Sequence, residues 1–173
     1  MTSASGRTSI RQPETTAGQQ ALPGLGGGEA TPSFLVATVK GYGFRCTPDL
    51  SETTRAGRRV ARVAQGDEVI SVETIAGPAV VTATAKGKML RFVADEVAEL
   101  SGPGRGVILM RPSADDRVVG ALALPEPSTF LVITPEGGER KIGLAEVPVG
   151  RRGGKGQKVV KRGGVAAIRR GDG

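Results

Sequence analysis

From position 33 onward, two kinds of stretch alternate three times along the chain. A short β-branched apolar run ends in a Thr-x-x-Gly tetrad, and a strand-like stretch mixing basic and apolar residues follows. The first copy begins Phe34-Leu35-Val36-Ala37-Thr38-Val39-Lys40-Gly41-Tyr42-Gly43-Phe44-Arg45-Cys46. The second begins Ala79-Val80-Val81-Thr82-Ala83-Thr84-Ala85-Lys86-Gly87-Lys88-Met89-Leu90-Arg91-Phe92. The third begins Phe130-Leu131-Val132-Ile133-Thr134-Pro135-Glu136-Gly137-Gly138-Glu139-Arg140-Lys141-Ile142. The turn glycines Gly41, Gly87 and Gly137 stand 46 and 50 residues apart. A tight turn between two strand-like runs predicts a hairpin, with glycine supplying the positive φ such turns demand.

Each hairpin leads into a short apolar spur: Leu50, then Val97 and Leu100, then Leu144 and Val147. A glycine-basic loop comes next, at 55–59, 102–106 and 151–156. Two more strands close each unit, predicted at 60–63 with 68–75, 107–110 with 117–124, and 157–160 with 164–168. An acidic turn, Gly66-Asp67 or Asp115-Asp116, separates them in the first two copies, and Arg162-Gly163 replaces it in the third. Four short strands per repeat is the signature of propeller blades, whereas a β-sandwich shows shorter spacing without self-similarity. Helical periodicity is nearly absent, and only 94–100 admits a turn. The fold class predicted is all-β, with four-stranded blades at 33–77, 78–127 and 128–173.

Residues 1–32 carry Thr, Ser, Gly, Gln, Ala and Pro with no apolar periodicity. Such composition cannot offset the entropy of ordering, which predicts a disordered tail or linker.

Charge narrows the partner. Lys and Arg outnumber Asp and Glu by 24 to 17, a net charge of +7. Residues 128–173 hold ten basic and four acidic residues, so nearly all of the excess is local. A local cationic face favours a polyanion, nucleic acid before membrane. There is no histidine and one cysteine, Cys46, so neither a zinc cluster nor an internal disulfide is available. No run is long enough to span a bilayer as a helix, and 1–30 lacks a signal-peptide core. A cytoplasmic, nucleoid-associated setting and no membrane partner are expected.

The repeat with its Thr-x-x-Gly turns, basic second strands and the Gly104-Arg105-Gly106 loop resembles the C-terminal domain of type IIA topoisomerase A subunits, those of DNA gyrase and topoisomerase IV. Arg151-Arg152-Gly153-Gly154-Lys155-Gly156 matches six of the seven residues of the gyrase box, Gln-Arg-Arg-Gly-Gly-Lys-Gly, with Gly150 where gyrase has Gln. The resemblance covers 33 to about 170. It implies a propeller-like β-pinwheel whose blades exchange hairpins and whose basic rim bends duplex DNA. The box lies in the last repeat rather than the first, and three repeats stand where the family has five or six. An open half-disc and closure by self-association with a second copy both satisfy that count. The resemblance further implies partnership with the remaining topoisomerase A and B subunit domains.

Catalysis by this chain alone is not expected. The family's cleavage tyrosine and metal-binding carboxylates belong to other domains, and Tyr42 follows a turn glycine, where packing explains it. Asp67, Glu68, Asp115 and Asp116 fit surface-turn formers better than an acid–base pair. Cys46 has no histidine to activate it. No cofactor is implied, because 101–106 lacks the Lys-Ser/Thr of a nucleotide loop. The expected DNA contacts are Arg151, Arg152 and Lys155 in the box, then Lys158, Lys161 and Arg162. Arg58, Arg59 and Arg105 occupy the corresponding loops, and Lys86, Lys88, Arg91, Arg140 and Lys141 the hairpins. Scarce aromatics favour double-stranded DNA over single strands. The alternative is a propeller-like protein-interaction module, or a paralogue that no longer binds DNA.

Overall fold

The computed structural model describes residues 31–48 and 59–171. Each repeat opens with the predicted hairpin: β1 (Phe34–Thr38) with β2 (Tyr42–Cys46), β4 (Ala79–Thr84) with β5 (Lys88–Val93), and β8 (Thr129–Ile133) with β9 (Glu139–Gly143). Single turns of 3-10 helix, Ala94–Glu96 and Leu144–Glu146, follow the second and third hairpins. The other strands are β3 (Val69–Thr74), β6 (Val107–Ile108), β7 (Val118–Leu124), β10 (Gln157–Lys158) and β11 (Ala167–Arg170).

The threonine tetrad explains the hairpins. Gly41 and Gly87 N–H each donate to the threonine carbonyl three residues back at 3.0 Å, and Gly137 does so at 2.9 Å. The threonine hydroxyl then accepts the next backbone N–H, from Tyr42, Lys88 or Gly138. All three glycines hold φ between 91° and 96°, a region closed to most side chains.

The strands assemble into sheets ordered β3-β1-β2-β6, β10-β5-β4-β7 and β11-β8-β9. Each of the first two sheets is therefore completed by a strand from the following repeat. Among the described residues the third sheet has three strands, where the repeat pattern predicts four. The predicted strand at 60–63 is reduced to a single bridge, Ala61 to Gly104. The exchange also explains two turn glycines. A Cβ on Gly41 would stand 2.0 Å from the Met110 carbonyl oxygen, and one on Gly87 would stand 2.2 Å from that of Val160. A Cβ on Gly137 would meet nothing within 4 Å.

The sheets pack face to face. Every residue of β4 and β7 is buried, because the second sheet has a neighbour on each side. This is why those strands read as continuous apolar runs rather than alternating ones. Among the described residues, no helix is long and apolar enough to cross a membrane. The tail expected at 1–32 lies almost wholly outside the described residues.

Candidate nucleic-acid interface

The box loop lies across the second blade. Gly150 N–H donates to the Arg91 carbonyl at 2.9 Å, Gly153 N–H to that of Leu109 at 2.8 Å, and Arg111 N–H to that of Gly154 at 2.9 Å. Glycine is required for this approach. A Cβ on Gly150 would stand 2.6 Å from Leu90 Cδ1, and one on Gly156 would stand 2.7 Å from the Met89 carbonyl oxygen.

The three box cations divide. Arg151 and Lys155 are exposed, whereas Arg152 turns inward. Its Nη1 donates to the Ile108 carbonyl at 2.8 Å, and its backbone N–H donates to Glu96 Oε1 at 3.3 Å. Its Nε is buried without a partner among the described residues. Arg152 thus anchors the loop to β6, and Arg151 and Lys155 are the box residues turned to solvent.

Lys155 belongs to a larger constellation. Together with Lys40, Lys88 and Arg111 it lines a groove of about 870 Å³ at the junction of the first two blades. Strand exchange makes this possible, since the four cations come from all three repeats. Tyr42, Ile108 and Asp116 also line it. Asp116 Oδ1 accepts the backbone N–H groups of Lys86 and Arg117, and Asp67 Oδ1 accepts those of Lys40 and Glu68. The acidic turns therefore do more than face solvent: each tethers its own turn to the adjoining hairpin.

Beside the groove, β10 pairs with β5 so that Lys158 stands directly opposite Lys88. Directly opposed like charges destabilise an antiparallel pair. Their electrostatics improve when an anion lies between them.

The other expected residues are distributed unevenly. Lys161 and Arg162 are exposed in the turn after β10, and Arg140 and Lys141 are exposed on β9. Arg105 is exposed with its guanidinium 4.1 Å from the centre of the Tyr42 ring, a cation–π contact. It immediately precedes Gly106 as Lys155 precedes Gly156, and both glycines have positive φ. Arg59 is exposed, and Arg58 lies outside the described residues. Lys86 pairs with Asp115, which pulls that carboxyl below its ordinary range, chiefly through the Lys86 hydrogen bond. Arg91 is a brace: its Nε donates to the Val147 carbonyl at 3.2 Å and Nη1 pairs with Glu126 at 2.7 Å. Arg45 makes the same contact one repeat earlier, donating to the Val97 carbonyl at 2.9 Å.

Lys40 and Arg111 were not among the expected contacts. Repeat register was the available signal, because Lys40 matches Lys86 before the turn glycine and Arg111 matches Lys161 after the exchanged strand.

The family described as "DNA gyrase C-terminal domain, beta-propeller" matches residues 32–76, 79–125 and 140–170. The gyrase A protein of Deinococcus deserti is 31% identical over 86% of this chain, which spans 19% of that relative's length. Among solved structures, the C-terminal domain of DNA topoisomerase IV superposes with a TM-score of 0.69 at 20% identity, covering 83% of this chain and 47% of that one. The DNA gyrase A C-terminal domain gives 0.67 at 20% identity, covering 83% and 50%. The fold, the repeat and the matched residues agree: this chain belongs to the DNA gyrase C-terminal domain, beta-propeller family.

Proposed function

We propose that this chain is a non-catalytic module that binds and bends duplex DNA without reading its sequence. The observation that carries the reading is the groove of Lys40, Lys88, Arg111 and Lys155, with the Lys88–Lys158 pair beside it. Cations spaced along blade junctions suit successive phosphates, and phosphate contacts position DNA without specifying bases. Arg151, Lys161, Arg162 and Arg105 extend the surface on the same grounds. Contacts with the backbone offset the elastic penalty of bending, a few kcal/mol for a site of ~20–30 bp. The module acts in the cytoplasm on the nucleoid, beside the remaining domains of a topoisomerase.

Fluorescence anisotropy with a duplex of ~30 bp, titrated across salt, tests this. If each of the four groove cations neutralises one phosphate, log K falls against log salt with a slope of about −3.6. Scrambling the duplex sequence leaves K unchanged. Salt-independent affinity, or no binding at low salt, sinks the proposal.

A protein-interaction role is favoured by a different observation. Val60, Val63, Val69, Ile70 and Val72 of the first repeat are each more than a third exposed.

A further inference from the structure

Three lysines gather where the box loop and β10 cross the second blade. Lys158 stands directly opposite Lys88, so their side chains share one face of the sheet. Lys155 lines the same groove as Lys88. A Cβ on its neighbour Gly156 would stand 2.7 Å from the carbonyl oxygen of Met89, the residue after Lys88. Lys88 Nζ donates to Ser113 Oγ at 3.4 Å. Among the described residues, carboxylates pair with Lys86, Arg91 and Arg169, and none pairs with these three lysines. Asp116 also lines the groove, but its Oδ1 already accepts two backbone N–H groups and its Oδ2 is buried.

The preceding repeat builds the same cluster without the excess charge. Tyr42, Arg105 and Ile108 correspond there to Lys88, Lys155 and Lys158, and Ala64 corresponds to Ser113. The geometry agrees, since Tyr42 opposes Ile108 as Lys88 opposes Lys158. A Cβ on Gly106 would stand 2.0 Å from the Gly43 carbonyl oxygen, as one on Gly156 would approach that of Met89. Asp67 N–H donates to the Ala64 carbonyl, and Asp116 N–H to that of Ser113, both at 3.0 Å. In the first blade the loop cation is satisfied within the protein, with the Arg105 guanidinium 4.1 Å from the centre of the Tyr42 ring. In the second blade lysine replaces both the aromatic ring and the isoleucine, and a hydroxyl replaces the alanine. The backbone accepts either set, so neither the turn nor the strand pairing requires the lysines. Like charges at opposed positions repel, and the described residues supply no counter-charge.

We propose that Lys88, Lys155 and Lys158, with the Ser113 hydroxyl, form a site for a free phosphate oxyanion. Three ammonium groups and a hydroxyl are all donors, and charge-assisted hydrogen bonds to phosphate are the stronger kind. A backbone phosphodiester carries one negative charge and two unbridged oxygens. A phosphate dianion carries two charges and accepts on every oxygen, so it answers a three-lysine cluster better than a single link of the duplex does. The inference deepens the DNA reading and rests on its groove for one consequence. A bound phosphate takes Lys88 and Lys155 from the duplex, so free phosphate lowers DNA affinity beyond what its ionic strength explains.

Calorimetry of the full chain without DNA, in sodium phosphate against sodium chloride of equal ionic strength, tests the site. At about ten times Kd, an anion held only by the folded protein should raise the wild-type Tm by about 3–5 °C. Lys158→Ile installs the residue of the preceding repeat, so it should fold, and its phosphate response should vanish. Arg170→Ala removes a cation from the exposed end of β11 and should keep the response. An equal rise in Lys158→Ile would mean that phosphate acts by exclusion from the surface, and overturns the proposal. A flat wild-type response overturns it too, as does a loss in Arg170→Ala as complete as in Lys158→Ile. Anisotropy with a duplex, at constant ionic strength, then reads the competition. Phosphate should weaken wild-type binding more than that of Lys158→Ile, and equal weakening overturns the shared groove. A phosphate response in a protein that fails to bind duplex supports the site and removes only the DNA reading.

Discussion

Replacing Lys158 with Glu should stabilise the fold and weaken DNA binding at once. Lys158 stands directly opposite Lys88, so the wild-type strand pair carries a like-charge contact. Cross-strand charge pairs are worth roughly 0.2–1 kcal/mol of either sign, so changing repulsion into attraction gains about 1 kcal/mol. For a compact unit of this size that gain raises Tm by about 3–5 °C. It should shrink in 1 M salt, where the Debye length falls to about 3 Å. Affinity should move the other way: one phosphate contact is lost, which flattens the salt slope by about 0.9, and an anion is added beside the groove. Calorimetry and anisotropy on the same sample measure both. A lower Tm would refute the cross-strand argument. A higher Tm with unchanged affinity would remove Lys158 from the interface.

The remaining predictions concern the box, the turns and the thiol. Lys155→Ala should flatten the salt slope by about 0.9, whereas Arg152→Ala should leave the slope unchanged while loosening the loop, read as faster amide exchange at Gly153 and Arg111. Gly87→Ala combines a φ of 91° with a Cβ 2.2 Å from the Val160 carbonyl and should cost more than about 2 kcal/mol in denaturant unfolding. Gly137→Ala has the same strain with open space around it and should cost about 1–2 kcal/mol; equal losses would contradict the packing role assigned to the exchanged strand. Burial first, and Glu99 second, push the Cys46 thiol up. The folded thiol then stays neutral while the unfolded one ionises, so stability is fully present below about pH 8.5 and declines as pH rises beyond it. Cys46→Ala should flatten that alkaline decline in pH-dependent unfolding, and an identical decline in both proteins would contradict it.

Much of the fold was legible because its determinants are local. Thr38, Thr84 and Thr134 build their turns with atoms three or four residues away, and the period of their glycines counts the repeats. The box was legible for the same reason, since six consecutive residues carry it. Its internal division was not. Arg151 and Arg152 are chemically identical neighbours, and only the Ile108 carbonyl, supplied from another repeat, separates the anchor from the exposed cation. The bracing of Arg91 was hidden for the same reason: its partners, Val147 and Glu126, are distant in sequence.

The sequence by itself determined the all-β class, the three hairpins, the concentration of positive charge and the presence of the Arg151 to Gly156 motif. Tertiary structure alone decided which strands share a sheet. β6 and β10 are two residues long, too short to announce a partner, and each pairs with the repeat before it. That exchange brings Lys40, Lys88, Arg111 and Lys155 around one groove. Hairpins follow from neighbours along the chain, whereas a surface shared by three repeats follows from contacts that no local pattern encodes.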